Sequence, residues 1–402
     1  MHIVFVTGGW IRMPPQQGGS AEYFILNLSR KLMQRGHVVT ILDRKYSHAD
    51  PDIEYVDGVK VIRLQSLRIS LFNFTVNFIL SQAVFAFHVN NYCKKAKDID
   101  IIHVYTSVLC FLLSVINKDI RQKLVYTSIG LRRDKASPNF TDRMAITLEN
   151  ILVKRVRRTT IANKMIAELL VKQSGVKPEN VVIVPHIIDI EKFNRDMDGT
   201  EVIQRYRMEG KTNILFVGRI CFEKGVEYLV KAANIIINLS GRNNVQFIVV
   251  GPAEQFNSDK NTGSRYLTKI MRMMSDFGLQ EQIRFTGAVP IDDLIKLYAA
   301  CDMVVVPSLV DLDPMVPVEA MASGKPVIGT RVGTIHLRIK DGMSGFIIDP
   351  ADEQQIAEKI QYLLDNPVTM KEMGAYSRRL IVEENSSENM VERMLEVFQS
   401  KA

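Results

Sequence analysis

The sequence predicts an α/β protein of two doubly wound, mostly parallel-sheet domains, and three observations carry that prediction. At 402 residues the chain is too long for one ordinary core, so two domains are expected. Short apolar runs alternate with segments of helical periodicity from the first residues onward, as in parallel strands joined by crossover helices. Near residue 213 the pattern restarts with a strand, a glycine-bounded loop and a helix, as at residue 2.

Residues 2–7 read as the first strand, followed by a Gly/Pro-rich loop over 8–19. Tyr23, Phe24, Leu26, Leu28 and Leu32 give residues 21–34 a helical apolar face, and Gly36 closes that helix. Further strands are expected at 38–42, 101–104, 124–127, 160–162 and 181–184. In the second half, strands are expected at 213–217, 245–250, 283–286, 303–306 and 326–329, with a helix over about 226–239. The boundary is expected between Pro185 and Asn213, giving domains of residues 1–188 and 189–384. The apolar segment 68–92 carries Asn73, Asn77, Ser81, Gln82 and His88, too polar for a membrane span. A helix buried in the first domain is the favoured reading, ahead of membrane contact or an acceptor groove.

Composition is that of a soluble globular protein, 47% hydrophobic and 24% charged. Cys93, Cys110, Cys221 and Cys301 are widely spaced and form no CxxC pair, so reduced thiols are expected rather than a metal site or disulfides. The N-terminus lacks the pattern of a signal peptide, and a cytoplasmic location follows as the expectation. The net charge of +7 is uneven. Residues 1–190 hold 26 Lys and Arg against 15 Asp and Glu; the remainder hold 25 against 29. The basic clusters at 132–135 and 154–158 are solvated helix faces or a surface attracted to an anionic membrane or acidic acceptor. No nucleic-acid-binding motif is visible.

The chemistry-bearing residues gather after strands of the second half. In VGRICFEKG, Arg219 and Lys224 follow the strand at 213–217, and Gly218 and Gly225 permit sharp backbone turns. The C-terminal edge of an open α/β sheet is where ligands bind. Either cation alone would pass for a surface charge paired with Glu223 or Glu227; together, they fit phosphate binding. Further on, Asp311 and Glu319 bracket the start of a short helix, with Pro317 in its first turn and Gly324 after its end. Glu319 is a cap for its own helix or a ligand for hydroxyl groups; with Asp311 and Asp313 nearby, ligand binding is favoured. Gly18 and Gly19, before the first helix, could cradle a phosphate or form a plain turn. His103, at a strand end, is either a satisfied core histidine or a group facing a cleft. His186 and His336 are similarly open.

With these residues in hand, the chain resembles the retaining glycosyltransferases of family 4, also called glycosyl transferases group 1, over nearly its whole length. The resemblance rests on VGRICFEKG, FTGAVPIDDLIKLYAACDMVVVPS, PVEAMASGKPVIGT and DGMSGFIIDP, with PPQQGGSAE and RGHVVTI at the start. It implies the GT-B fold, two Rossmann-like domains facing across a cleft, with a C-terminal helix at about 385–402 returning to the first domain. It implies that Arg219 and Lys224 bind the donor diphosphate and that Glu319, the second acid of an E-x7-E motif, bonds the ribose. Asp311 takes the first acid's place near the donor sugar. Gly218, Gly287, Val289, Pro314, Met315 and Val316 line the donor, and Gly18 and Gly19 cover the phosphates and acceptor. His103 stands with Asp311, Arg219 and Lys224 among the implied catalytic groups.

The implied reaction moves a sugar, a hexose, from a nucleotide diphosphate sugar to a hydroxyl acceptor on a glycan, a lipid-linked molecule or a small molecule. The anomeric configuration is kept, and neither metal nor cofactor is used. An anionic membrane surface is a further expected partner, placing the protein peripherally on the inner face of a membrane. This chain departs from the pattern at several points. Asp311 replaces the usual Glu, Leu312-Asp313-Pro314 replaces a glycine-containing segment, and Tyr105 replaces the second His of an HxH pattern. His186-Ile187 replaces Asn-Gly, and Gly333-Thr334 replaces a double glycine. Two alternatives follow: a nucleotide-sugar-binding protein that has lost transfer, and a GT-B epimerase or phosphorylase.

Overall fold

The computed structural model describes residues 1–9, 11–15, 20–47, 49–66, 74–128, 140–185, 188–253, 262–384 and 387–400. The chain divides into two compact units, Met1–Ile187 with Ser387–Ala402, and Ile188–Ser386.

In the first unit the described residues form an eight-stranded sheet of β1 (His2–Val6), β2 (Val38–Arg44), β3 (Ile53–Val56), β4 (Val59–Leu64), β5 (Ile101–Val104), β6 (Leu124–Ser128), β7 (Arg158–Ile161) and β8 (Val181–Ile183). The order is β3-β4-β2-β1-β5-β6-β7-β8. Only β3 runs antiparallel, paired to β4. This hairpin was not expected from the apolar runs, yet IEYVDGVKVIRL carries its signal: Asp57-Gly58 between alternating strands. Both turn residues adopt positive φ, 49° and 83°, the conformation that twists a two-residue hairpin correctly. Ile3 and Phe5 lie on one face of β1 in a core with Ile25, Leu28 and Leu32 of the helix Ser20–Gln34. The same core takes Met390, Val391, Met394, Val397 and Phe398 from the last helix, Ser387–Gln399.

The described part of the apolar segment is the helix Phe74–Lys95. Of its polar residues Ser81, Gln82 and Asn90 are buried, and the Gln82 amide donates to Gly8 O at 3.3 Å. Its apolar residues divide, with Phe85, Ala86 and Val89 buried and Val76, Ile79, Leu80 and Phe87 exposed. Among the described residues no helix is long and apolar enough to cross a membrane.

The second unit holds a parallel six-stranded sheet of β9 (Thr212–Val217), β10 (Val245–Val250), β11 (Ile283–Gly287), β12 (Met303–Val306), β13 (Val327–Thr330) and β14 (Gly345–Ile348), in the order β11-β10-β9-β12-β13-β14. Side chains alternate between faces of a strand. Ile214 and Phe216 of β9 accordingly enter one core cluster, with Val226 and Leu229, while Leu215 enters the other, with Val318 and Met321. The strand order reverses between β9 and β12. Loops leaving the C-terminal ends of such a pair diverge to opposite faces and leave a crevice. Arg219 follows β9, and Asp311 follows β12.

Candidate active site

Two loops meet at that crevice of the second unit. After β9, residues 218–225 turn through a single 3₁₀ turn, Phe222–Lys224. The Glu223 carbonyl accepts from Leu309 N at 2.8 Å and Val310 N at 3.2 Å, stitching this loop to the one after β12. Gly225 has φ +69°, and a Cβ there would stand 1.9 Å from Pro307 O, so only glycine permits the approach. The outcome is an ion pair between Lys224 Nζ and Asp311 Oδ2, about four-fifths buried on each side. The Ser308 hydroxyl lies 3.4 Å from the same carboxylate oxygen. Arg219 is exposed at the loop's start. The spacing in sequence brings both cations to one edge, but the direct pairing of Lys224 with Asp311, 87 residues apart, is a product of the sheet order.

Glu319 sits in the helix Val316–Ala322, which Pro317 opens without needing an N–H. It does not cap that helix. Its Oε2 accepts from Tyr298 Oη at 2.7 Å, and Tyr298 is fully buried on the helix Ile291–Ala300. Burial raises the carboxyl above the ordinary range, while the tyrosine hydroxyl pulls it back. Among the described residues no hydrogen bond reaches Oε1, so that oxygen can accept a further hydrogen bond. Pro314 is buried, and Met315 and Val316 are half-buried against the core, so this stretch offers a ligand mainly backbone.

Asp313 turns the other way: its Oδ1 accepts from Thr334 Oγ1 at 2.5 Å and from Arg338 at 3.1 Å. Gly218 closes β9 by donating to Val250 O at 2.9 Å. Gly287 ends the edge strand β11 with φ +71°, exposed, and Val289 packs against the core beside it. These positions share the C-terminal edge of the sheet with Arg219 and Asp311.

In the first unit, Gly18, Gly19, His186 and the basic cluster at 132–135 lie outside the described residues. The loop leading towards the glycines is anchored from beneath. Asp43 accepts from Thr7 Oγ1 at 2.6 Å and Met13 N at 2.9 Å, and Arg63 donates to Met13 O at 2.5 Å. Burial pushes the Asp43 carboxyl up. Asp43, Arg63, Tyr298 and Arg338 are not among the residues the sequence points to, and Thr334 appears there only as a departure from the family pattern. For the first two a signal exists: each is a charge placed directly after an apolar run of a strand, TILDR and KVIRL.

His103 requires a correction. It is completely buried, between Phe5, Tyr105 and Phe398, and its Nε2 meets Thr127 Oγ1 at 2.6 Å, which in turn meets Thr160 Oγ1 at 2.6 Å. A side chain without exposed surface cannot touch substrate, so His103 is a core residue. The reason is its neighbour: the last helix lays Phe398 over the strand end. Burial lowers its pKa from 6.5 to about 3. The folded state therefore holds it neutral, and the stability this contributes is complete above pH 6.5 and lost as pH falls through that window. Urea unfolding followed by the single tryptophan, Trp10, should show stability falling by about 1.4 kcal/mol per pH unit from this one group in mid-window. In His103→Gln that slope should flatten; parallel slopes in the two proteins would refute the assignment.

The family described as "Glycosyl transferases group 1" matches residues 200–399, and "Glycosyltransferase Family 4" matches residues 18–192. The chain is 25% identical over 404 residues to D-inositol 3-phosphate glycosyltransferase 1 of Catenulispora acidiphila, covering 95% of this chain and 91% of that one. Its fold superposes on sucrose-phosphate synthase from Thermosynechococcus elongatus with a TM-score of 0.84 at 20% identity, covering 99% and 98% of the two chains. It also superposes on Anabaena HepE in complex with UDP-glucose, with a TM-score of 0.74 at 18% identity and 98% coverage of both. Two parallel-sheet units, cations and acids at one sheet edge, and matches spanning both halves agree: the chain belongs to the family 4, group 1 glycosyltransferases and has their GT-B fold.

Proposed function

We propose that this glycosyltransferase moves a hexose from a nucleotide diphosphate sugar to a hydroxyl acceptor with retention of anomeric configuration and without a metal ion. The observation that carries the reading is Lys224, held at the crevice with the Asp311 carboxylate as its counter-ion, in a site whose next helix carries Glu319 with one oxygen left for a hydroxyl. When the bond from the anomeric carbon to the phosphate oxygen breaks, positive charge develops on the sugar and negative charge on the diphosphate. Lys224 and Arg219 stabilise the diphosphate as that charge grows. The acceptor oxygen attacks from the face the phosphate leaves, and its proton passes to a leaving phosphate oxygen. Glu319 holds the ribose. The relative bound to UDP-glucose supports the donor class.

The acceptor is presented at an anionic membrane surface. The exposed stripe of Val76, Ile79, Leu80 and Phe87, spaced for one helix face, supports this part, as does the positive excess of residues 1–190.

The test is a thermal-shift series with UDP-, GDP- and ADP-sugars, followed by product analysis with and without anionic vesicles carrying extracted lipid acceptor. A nucleotide sugar at a hundred times its Kd should stabilise by about 2.7 kcal/mol, roughly 5–10 °C for a unit of this size. Transfer should require the acceptor and rise with vesicles. Binding without product would favour the transfer-deficient alternative, an isomerised or phosphorolysed sugar would favour the other, and no shift with any nucleotide sugar would sink the proposal.

A further inference from the structure

Both acids of the loop after β12 are engaged, and they point in opposite directions. Asp311 reaches back to Lys224; Asp313 reaches forward to the loop after β13. The second contact is the better buried. The Asp313 side chain is 9% exposed and that of Arg338 15%. Thr334, which donates its hydroxyl to the same Asp313 oxygen, is buried at 1%. The backbones are locked as well. Thr334 N donates to Leu312 O at 3.0 Å, and Gly333, at φ +50°, sits where a Cβ would stand 1.9 Å from Asp311 O. On its far side the loop is fastened to Glu223 O. Two departures from the family pattern, Asp313 in the glycine-containing segment and Thr334 in the double glycine, are thus in direct contact. The side-chain hydroxyl of one donates to a carboxylate oxygen of the other.

We infer that Asp313, held by Thr334 and Arg338, is a positioning residue that fixes the loop 311–315 and so sets which donor sugar the enzyme accepts. The inference rests on the donor-site reading above. A glycine-containing loop adapts to its ligand, whereas this one is clamped along both edges. The backbone of 312–315 and the carboxylate of Asp311 therefore present one fixed arrangement to the sugar hydroxyls. Asp313 is engaged by Thr334 and Arg338, so its effect on the sugar passes through the loop it holds. The ribose contact through Glu319 and the Arg219 contact to the diphosphate do not pass through this clamp, and Lys224 meets it only through its ion pair with Asp311.

That separation makes the test selective. Asp313→Asn, Thr334→Val and Arg338→Gln are compared with wild type by calorimetry with UDP, GDP and ADP, and by kcat/KM across UDP-glucose, UDP-galactose, UDP-N-acetylglucosamine and GDP-mannose. The variants should bind the preferred nucleoside diphosphate within about twofold of wild type. The ratio of kcat/KM between the best and second-best sugar should change by about tenfold or more, because a displacement of about 1 Å at a reacting centre carries effects of that size. Thr334→Val keeps shape and removes only the hydroxyl, so it carries the test if Asp313→Asn does not fold. An unchanged sugar ratio in folded variants overturns the inference. So does a parallel loss of nucleoside diphosphate and nucleotide sugar binding, which marks a merely structural clamp. A wild-type protein that binds no nucleoside diphosphate overturns the donor-site reading instead, and this inference with it.

Discussion

Lys224→Ala should lower kcat/KM for sugar transfer by about 10²–10³-fold, the loss seen when one preorganised charge-stabilising group is removed from a developing anion. The structure adds a complication that decides how the result is interpreted. Lys224 is also the partner of Asp311, and the pair is largely withdrawn from water. Removing the lysine leaves a largely buried carboxylate without its counter-ion, at a cost of about 1–3 kcal/mol. Part of any activity loss could then come from a displaced loop. Lys224→Ala/Asp311→Asn separates the two effects, because asparagine needs no counter-ion. Thermal stability should recover in the double variant while kcat/KM stays low. If turnover recovers with stability, Lys224 serves only to hold Asp311, and the leaving-group role falls. Arg219→Ala should lower kcat/KM with little change in stability, since the side chain is exposed.

The fold was largely legible, for a physical reason. Strands buried on both faces read as short apolar runs, and β1, β2, β9, β10 and β12 each do so. What apolar runs cannot reveal is a half-exposed edge hairpin; β3 alternates exposed and half-buried residues, and its signal lay in the Asp-Gly turn instead. At the site, the sequence supplied the cations and acids but not their partners. Lys224 with Asp311, Tyr298 with Glu319, and Arg338 with Asp313 are separated by 87, 21 and 25 residues. Only strand order determines which of several acids each meets. His103 failed for the same reason in reverse. Its position near a strand end is legible in the sequence, yet the residue that seals it, Phe398, comes from the far end of the chain. Local spacing has no access to that contact.

The same contact should give the largest stability effect in the first unit. Phe398 is 1% exposed, with its ring edge-on to Phe5 at 6.4 Å and to His103 at 5.7 Å. Arg157 ties the end of that helix down by donating to Phe398 O at 3.1 Å and to Ser400 O at 2.9 Å. Truncating such a ring removes its transfer energy and leaves a cavity, a loss of about 3–5 kcal/mol. For a unit near 200 residues that is a fall of roughly 6–20 °C in Tm. Trp10 fluorescence is the fitting probe, because the sole tryptophan belongs to the first unit in sequence. The effect has a second consequence. A cavity beside His103 admits water, which relieves the desolvation that keeps its pKa low. Phe398→Ala should therefore be not only less stable but less acid-sensitive between pH 6.5 and about 3 than wild type. A uniform loss at every pH would mean that the cavity stays dry, and a loss below about 1 kcal/mol would mean that the last helix does not seal this core.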